Sequence, residues 1–484
     1  MDILSVIDNS KNFKDIEKEI YSQVCKETCR RLEIVLEGMD KIIREERDKK
    51  KYRYKDKRKQ TIVTLFGDIS YKRTYYKYVD DEGRGHYTFL LDEVLGIKTI
   101  GRVSENVMIN AVDNATKLSY RKSEEDLTQK MNCNISHQSI WTIVQKAGEW
   151  VKKQEEDKMY RFLRGKLKGM KEVKILFEEK DGVYLSIQGE KRKKELKVAK
   201  IYEGWEKRTP GSKEYKTINR MYVTGFEHGE YFDIRVNSRI AERYNIDKLE
   251  KKIINADGAN WTKVEAEMDA NTVQQLDSFH IHQAILRKVK CKKQASILRK
   301  YINQGKHEKL FDKLEKLIVT EKDEKEKDKL KELQTYLLEN KENLKNYTVR
   351  GLKLPEGIEY RTMGTMEGSQ HNVICDRMKN RGMSWSIPGA ENMSKLLALR
   401  HSGMLFDTLE QIYEQEREVS EWTIEELLEI EAKKQYEKEK EARKVLPEGE
   451  YKGAGCHFSC LPYEGAKMTE SRKVMRRWLS ESCV

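Results

Sequence analysis

The spacing of apolar residues changes period repeatedly along this chain, and each change marks a boundary that any fold must respect. Residues 1–60 read as an N-terminal helical segment, because Val24, Ile34, Val35, Leu36, Met39 and Ile43 recur near every 3.6 positions in a charged background. From Thr61 to Leu91 the period drops to two. Ile62 to Phe66, a turn at Gly67-Asp68, Ile69 to Tyr76, a second turn from Asp80 to Gly85, and Tyr87 to Leu91 predict a β-meander over 61–95. Its alternating aromatic and basic side chains suit contact with a DNA backbone or packing against helices.

Helical spacing returns over 96–165 in a helix-turn-helix-like layout. Leu118 to Met131 makes one helix, Asn132-Cys133-Asn134 a tight turn, and Ser136 an N-cap for a second helix with Ile140, Ile143, Val144 and Ala147 inward. His137, Gln138, Thr142, Gln145 and Lys146 then face outward, as a DNA major-groove reader requires. An ordinary helical hairpin produces the same pattern. Residues 170–285 alternate strands (Val173 to Phe177, Val183 to Ile187, Met221 to Gly225, Tyr231 to Val236, Lys252 to Ala256) with helices (Ser238 to Tyr244, Val264 to Met268). Over 286–347 Lys and Glu dominate around a seam of Leu310, Leu314, Leu317, Leu330, Leu333, Leu337 and Leu344, predicting a helical hairpin or short coiled coil. Ordered α/β character resumes over 348–405, and 406–484 is a charged helical region and tail. The fold class is α/β, multidomain and α+β overall.

Charge narrows the partner. The chain has 95 basic and 82 acidic side chains, a net +13, with the excess gathered in blocks such as Lys191 to Lys194 and Arg287 to Lys293. Such blocks suit a polyanion, although each is also explicable as the solvated face of a helix. No apolar run approaches the ~18 residues needed to cross a bilayer, nothing marks export, and the sparse cysteines fit reduced thiols, so no membrane partner and a cytoplasmic location are expected. Cys25 and Cys29, with Cys456 and Cys460, form two C-x3-C pairs that would hold zinc only if they met.

Three acids stand out by context. Asp181 lies before Gly182 in a strand-like stretch, Asp257 ends the strand Ile253 to Ala256, and Glu367 follows Thr365, a candidate helix cap, with His371 four positions on and on the same face. Two strand-borne aspartates and a helix-borne glutamate are the ingredients of a site for two hard divalent cations. Singly, Asp181-Gly182 also reads as a hairpin turn and Glu367 as a first-turn acid opposite the helix dipole.

The segments Gly67 to Arg73, Asn255 to Ala259, Asp277 to His280, Glu367 to Asn372 and Arg377 to Ser386 resemble bacterial insertion-sequence transposases of the ISLre-two type, a group also catalogued as an uncharacterised protein family and distantly similar to the Mutator group. The resemblance implies a DDE transposase with a ribonuclease H-like core interrupted by the helical insertion. It makes Asp181, Asp257 and Glu367 the catalytic and metal-binding acids for two Mg²⁺ or Mn²⁺ ions. It makes Asp277 and His280 a D-x-x-H accessory pair, with His371 a further accessory group. Arg377, Lys379 and Arg381 would neutralise DNA backbone charge, and Trp385 would stack on an unpaired base or, flanked by Met383 and Pro388, belong to the core. The implied partners are double-stranded DNA, as element terminal repeats and target, and further copies of the chain, in a bacterial cytoplasm beside the nucleoid. The competing readings are a non-enzymatic DNA-binding or scaffolding protein and a structure-specific nuclease.

Overall fold

The computed structural model describes residues 12–80, 82–96, 102–263, 265–266, 269–416 and 423–445. It is a mixed α/β protein in two compact units: Met1–Met108 with Asp126–Ile135 and Tyr413–Val484, and Ile109–Glu125 with Ser136–Ile412. The tail cysteines Cys456 and Cys460 lie outside the described residues. No helix among the described residues is long and apolar enough to cross a membrane.

In the first unit, helix α1 (Phe13–Glu46) is capped by the Asn12 side chain, which accepts from the Asp15 amide. Cys25 is buried on this helix and Cys29 half-buried. The β-meander follows as β1 (Arg53–Thr64), β2 (Gly67–Val79) and β3 (Gly85–Thr88), all antiparallel. β1 begins well before the predicted Thr61, because its first half is exposed and strongly charged and so shows no apolar period. The first turn falls at Leu65-Phe66, two residues earlier than expected, and Gly67 opens β2 at φ 134°. Beside the stretch of β2 that β3 does not reach, Glu33, Glu37 and Asp40 of α1 accept the amides of Ser70, Lys72 and Thr74 at 2.6, 2.9 and 2.7 Å. A helix thereby satisfies donors that would otherwise form an open strand edge. The core is Ile43, Tyr52, Ile62, Ile69, Tyr71, Tyr76, Leu90 and Leu91, and α2 (Leu90–Leu95) closes it. The helix Ile424–Val445 adds Leu427 to that core, and Lys434 pairs with Glu45 at 2.7 Å.

Helices α3 (Glu105–Lys117) and α4 (Tyr120–Lys130) each contribute residues to both units. α5 (His137–Leu163) is N-capped by Ser136, whose hydroxyl accepts from the Ser139 amide.

The second unit is built on one five-stranded sheet. Its strands are β4 (Ile175–Leu185), β5 (Lys194–Tyr202), β8 (Met221–Gly225), β9 (Lys251–Ala256) and β10 (Thr272–Leu276), with a short ribbon of β6 (Trp205–Lys207) and β7 (Tyr215–Thr217) between β5 and β8 in the chain. Spatial order is β10-β9-β4-β5-β8, with β4, β5 and β8 antiparallel and β4, β9 and β10 parallel. One face packs on α6 (Gly229–Arg243) through Leu176, Ala199, Ile201, Phe232, Val236 and Ile240. The other gathers Ile175, Phe177, Tyr202, Trp205, Ile253 and Tyr347.

Two expectations are corrected here. Asp181-Gly182 is no turn: β4 runs straight through it, Gly182 pairs with Lys197, and a side chain at position 182 would collide with Glu195. Tyr231 to Val236 is helix, because its apolar residues Phe232, Val236 and Ile240 share one helical face. After β10 come α7 (Ser278–Lys288), α8 (Lys292–Asn303), α9 (His307–Thr320) and α10 (Glu324–Glu339). They share a core of Ile281, Ile285, Leu298, Leu310, Leu314, Leu330, Leu333 and Leu337. The Lys/Glu-rich segment is therefore part of a small helical bundle, not a lone hairpin. α11 (Met366–Gln370) leads through a π turn, His371–Cys375, and α12 (Ile387–His401) follows.

Candidate active site

β4 is buried along seven consecutive residues, Ile175 to Asp181, four of them charged. Successive side chains point to opposite faces of a strand, so this run divides into two sets. Glu178 and Lys180 face α6, where Lys180 pairs with Glu178 (3.1 Å), Asp233 (2.7 Å) and Glu265 (3.1 Å) and Lys252 pairs with Glu178 (3.2 Å). Glu179 and Asp181 face the other way. The alternation separates a closed ionic network from the acids on the face that carries the site.

Asp181 and Asp257 are brought side by side by register. The parallel pairing of β4 and β9 ends at Lys180 and Ala256, so the next residue on each chain is one of these aspartates. Asp257 is held at the strand end by two bonds: its Oδ1 accepts from the Ala259 amide at 2.9 Å, and its carbonyl accepts from the Tyr336 hydroxyl of α10 at 2.9 Å. Gly258 permits that exit at φ 87°, where a Cβ would stand 2.7 Å from Leu276 and 2.9 Å from Asn340.

At the end of β10, Asp277 Oδ1 accepts from Asn255 Nδ2 (3.0 Å) and its Oδ2 pairs with His280 Nδ1 (2.9 Å); His280 Nε2 lies 3.7 Å from Asp181 Oδ1. Burial pushes Asp181 up to about 6, and the charges of Asp257 and Glu367 push the same way against the pull of His280 and the Gly182 amide. Burial alone would lower His280, but its bond to Asp277 and the charges of Asp181, Asp277 and Asp257 prevail and raise it. Asp277 is buried too, yet the bonds from His280 and Asn255 hold it below the usual carboxylate range. Asp181, Asp257, Glu367, Asp277 and His280 thus form one electrostatic neighbourhood at the ends of β9 and β10.

Glu367 reaches this neighbourhood on α11, where Thr365 makes no side-chain cap. Glu179 caps the turn instead, with Oε2 accepting the amides of Gly364, Thr365 and Met366 at 3.2, 2.8 and 3.0 Å. A charged carboxylate at a helix N-terminus outcompetes a hydroxyl for those donors. The carboxylate oxygens of the three acids suit a hard divalent cation. As the side chains lie, no three His, Cys, Asp or Glu among the described residues are grouped to hold one metal ion.

Other candidates are placed differently. His371 is exposed, 3.1 Å from Asn380 Nδ2, and begins the π turn that breaks the helical register predicted from Glu367. Arg377 is not a surface cation: it is 2% exposed, donates to the Ala115 carbonyl at 2.7 Å, and is lowered by burial to about 10. Trp385 is also buried, its indole donating to the Met378 carbonyl at 3.0 Å, so its ring is unavailable to a base. Lys379 and Arg381 are exposed. On α5, Gln138, Thr142 and Lys146 are exposed, and His137 pairs with Glu124 at 2.7 Å. Gln145 turns inward instead: its Oε1 accepts from Asn392 Nδ2 of α12 at 3.0 Å, because α5 continues as a core helix. Three residues at the site were not assigned from sequence: Glu179, Lys200 and Tyr336. The i, i+2 pairing of Glu179 with Asp181 on one strand was the available signal for the first.

A mixed α/β protein with carboxylates gathered at the ends of parallel strands is the class that fold and site define. The chain belongs to an uncharacterised protein family, UPF0236, whose pattern matches residues 6–443. A member from Caldanaerobacter subterraneus subsp. tengcongensis is 30% identical over 404 residues, covering 82% of this chain and 80% of its own length, and its name joins eleven loci of that genome. A second protein of that organism, named for four loci, is 30% identical over 375 residues, 77% of this chain and 74% of its own. A member from Streptococcus gallolyticus, named for the vanSb 3′ region, is 25% identical over 425 residues, 83% and 86% of the two chains.

Proposed function

We propose that this protein is a DDE transposase that cleaves and joins the DNA of its own insertion sequence in the bacterial cytoplasm. The observation that carries the reading is the in-register placement of Asp181 beside Asp257, with the charge of Glu367 acting on the same carboxylate. The strand order β10-β9-β4-β5-β8, three antiparallel strands flanked by two parallel ones, supports a ribonuclease H-like core. A relative carried at eleven loci of one genome supports a mobile element.

Asp181, Asp257 and Glu367 would hold two Mg²⁺ or Mn²⁺ ions, which supply activation of the attacking oxygen and stabilisation of the leaving oxygen at phosphorus. Asp277 fixes the ring of His280, and the bond from Asp277 and the charges of the surrounding acids favour its protonated form beside Asp181. The exposed Lys379, Arg381 and Lys146, with Gln138 and Thr142, remain for contact with duplex ends and target DNA. Paired element ends require at least two copies of the chain.

Asp257→Asn and Glu367→Gln test the reading directly. Each is expected to keep DNA affinity while reducing Mg²⁺-dependent nicking of an element-end duplex by about a hundred- to a thousandfold, the scale of losing a charge-stabilising group. Unchanged nicking removes the catalytic assignment. Cleavage without joining of ends to a target plasmid would favour a nuclease over a transposase.

A further inference from the structure

The segment bearing Glu367 has little of its own to hold it. α11 is five residues long, is preceded by Gly364 at φ 124°, and leaves Glu367 exposed. Its anchorage comes from the sheet. Besides taking three backbone amides on Oε2, Glu179 accepts the Thr365 hydroxyl (2.6 Å) and the Tyr202 hydroxyl (2.8 Å) on Oε1. Lys200 stands opposite Glu179 in the β4–β5 register. Its ammonium donates to Thr365 Oγ1 at 2.6 Å and to Ser369 Oγ at 3.1 Å. Two adjacent strands thus grip one turn through a directional chain, from Lys200 to the Thr365 hydroxyl to Glu179. Glu179 is 0% and Lys200 3% exposed, so these bonds face little competition from water and hold one arrangement.

The geometry points to Glu179, assisted by Lys200 and Thr365, as the positioning residue that sets Glu367 against Asp181 and Asp257, an inference that rests on the metal-dependent reading above. Both oxygens of Glu179 are engaged by the α11 turn and Tyr202, which fits a positioning role and leaves metal contact to its neighbour two residues on. Because Glu179 and Asp181 share one strand face, a single rigid backbone sets both ends of the acidic cluster.

The test uses the full chain. Mn²⁺ binding is followed by electron paramagnetic resonance titration, and single-turnover cleavage of a duplex is measured at saturating DNA, for the unaltered protein, Glu179→Gln, Thr365→Val and Asp257→Asn. Glu179→Gln is expected to weaken Mn²⁺ binding about ten- to a hundredfold, the usual effect of removing a group that orients a ligand. It should slow cleavage about a hundredfold, as expected for a displaced reacting group. DNA affinity should stay unchanged, and excess Mn²⁺ should restore part of the rate, which a general loss of folding would not allow. Thr365→Val should shift both readouts the same way by less. Wild-type Mn²⁺ affinity and rate in Glu179→Gln overturn the inference; should that variant fail to fold, wild-type behaviour of Thr365→Val does so. If the unaltered protein binds no Mn²⁺ that Asp257→Asn abolishes, the transposase reading itself fails, a result visible without any change at Glu179.

Discussion

The two faces of β4 carry similar residues in opposite electrostatic conditions. On the α6 face, Glu178, Asp233 and Glu265 surround Lys180 and Lys252, so buried acids meet buried cations within hydrogen-bonding range. Lys180 and Lys252 outweigh the burial of Glu178 and hold it below the usual carboxylate range, whereas at Asp233 burial prevails over Lys180 and raises it. On the other face, burial raises Asp181 to about 6, with the charge of His280 pulling the other way. Buried acids that serve the fold have their cations built in. Under the proposed function, the acids of the other face await a charge that arrives from outside.

The largest stability effect should come from breaking the closed face. Lys180→Met leaves three acids around a missing cation and is expected to cost about 3–5 kcal/mol, the scale for removing one partner of a buried ion pair, measured by urea denaturation. A loss below about 1 kcal/mol would mean this face is no more self-sufficient than the other.

On the open face the sign reverses. Asp181→Asn should stabilise the metal-free protein at pH 7 by about 2–3 kcal/mol, from a shift of roughly two units at about 1.4 kcal/mol each, while abolishing metal-dependent cleavage. The same groups set the pH dependence. Asp181, raised, binds its proton more tightly when folded, so stability grows as pH falls from about 7 towards 4. The stabilisation from His280, also raised, is complete below about 6.5 and is lost as pH rises through its higher folded value. Asp277, lowered, stabilises above about 3.9 and ceases to as pH falls through its folded value. Metal-free protein should therefore gain stability from pH 8 to pH 5 and lose it below about pH 4, and Asp181→Asn should flatten the upper slope. An unchanged slope would show that Asp181 is not strained. The smallest effect is expected at the bundle's contact with the site: Tyr336→Phe removes one bond to the Asp257 carbonyl, worth about 1 kcal/mol in denaturation, and should slow cleavage less than tenfold.

Much of the architecture was legible where side chains follow one period. The α1 helix is readable because its apolar residues recur on one face, the Ser136 cap because its hydroxyl precedes an apolar helical face, and the strand leading to Asp257 by the apolar run Ile253-Ile254. The same reasoning failed where that period is hidden. The exposed half of β1 is charged on both faces, and β4 is a central strand whose buried charges read as polar and whose Asp-Gly step imitates a turn. The residue types of Arg377 and Trp385 suit phosphate and base, yet both are buried, Arg377 on the Ala115 carbonyl and Trp385 on the Met378 carbonyl. The type of a side chain does not report its exposure.

By itself the sequence determined the residue types that meet at the site, the helical character of the Lys/Glu-rich segment, and the carboxylates at Asp181, Asp257 and Glu367. Only the tertiary structure decided that Asp181 and Asp257 are neighbours, since a parallel register joins positions far apart in the chain. It alone decided that Glu179, not Thr365, caps the Glu367 turn. Caps and counter-charges act over a few ångströms of space, and which residues lie that close is set by how strands and helices pack, a relation no local stretch of sequence contains.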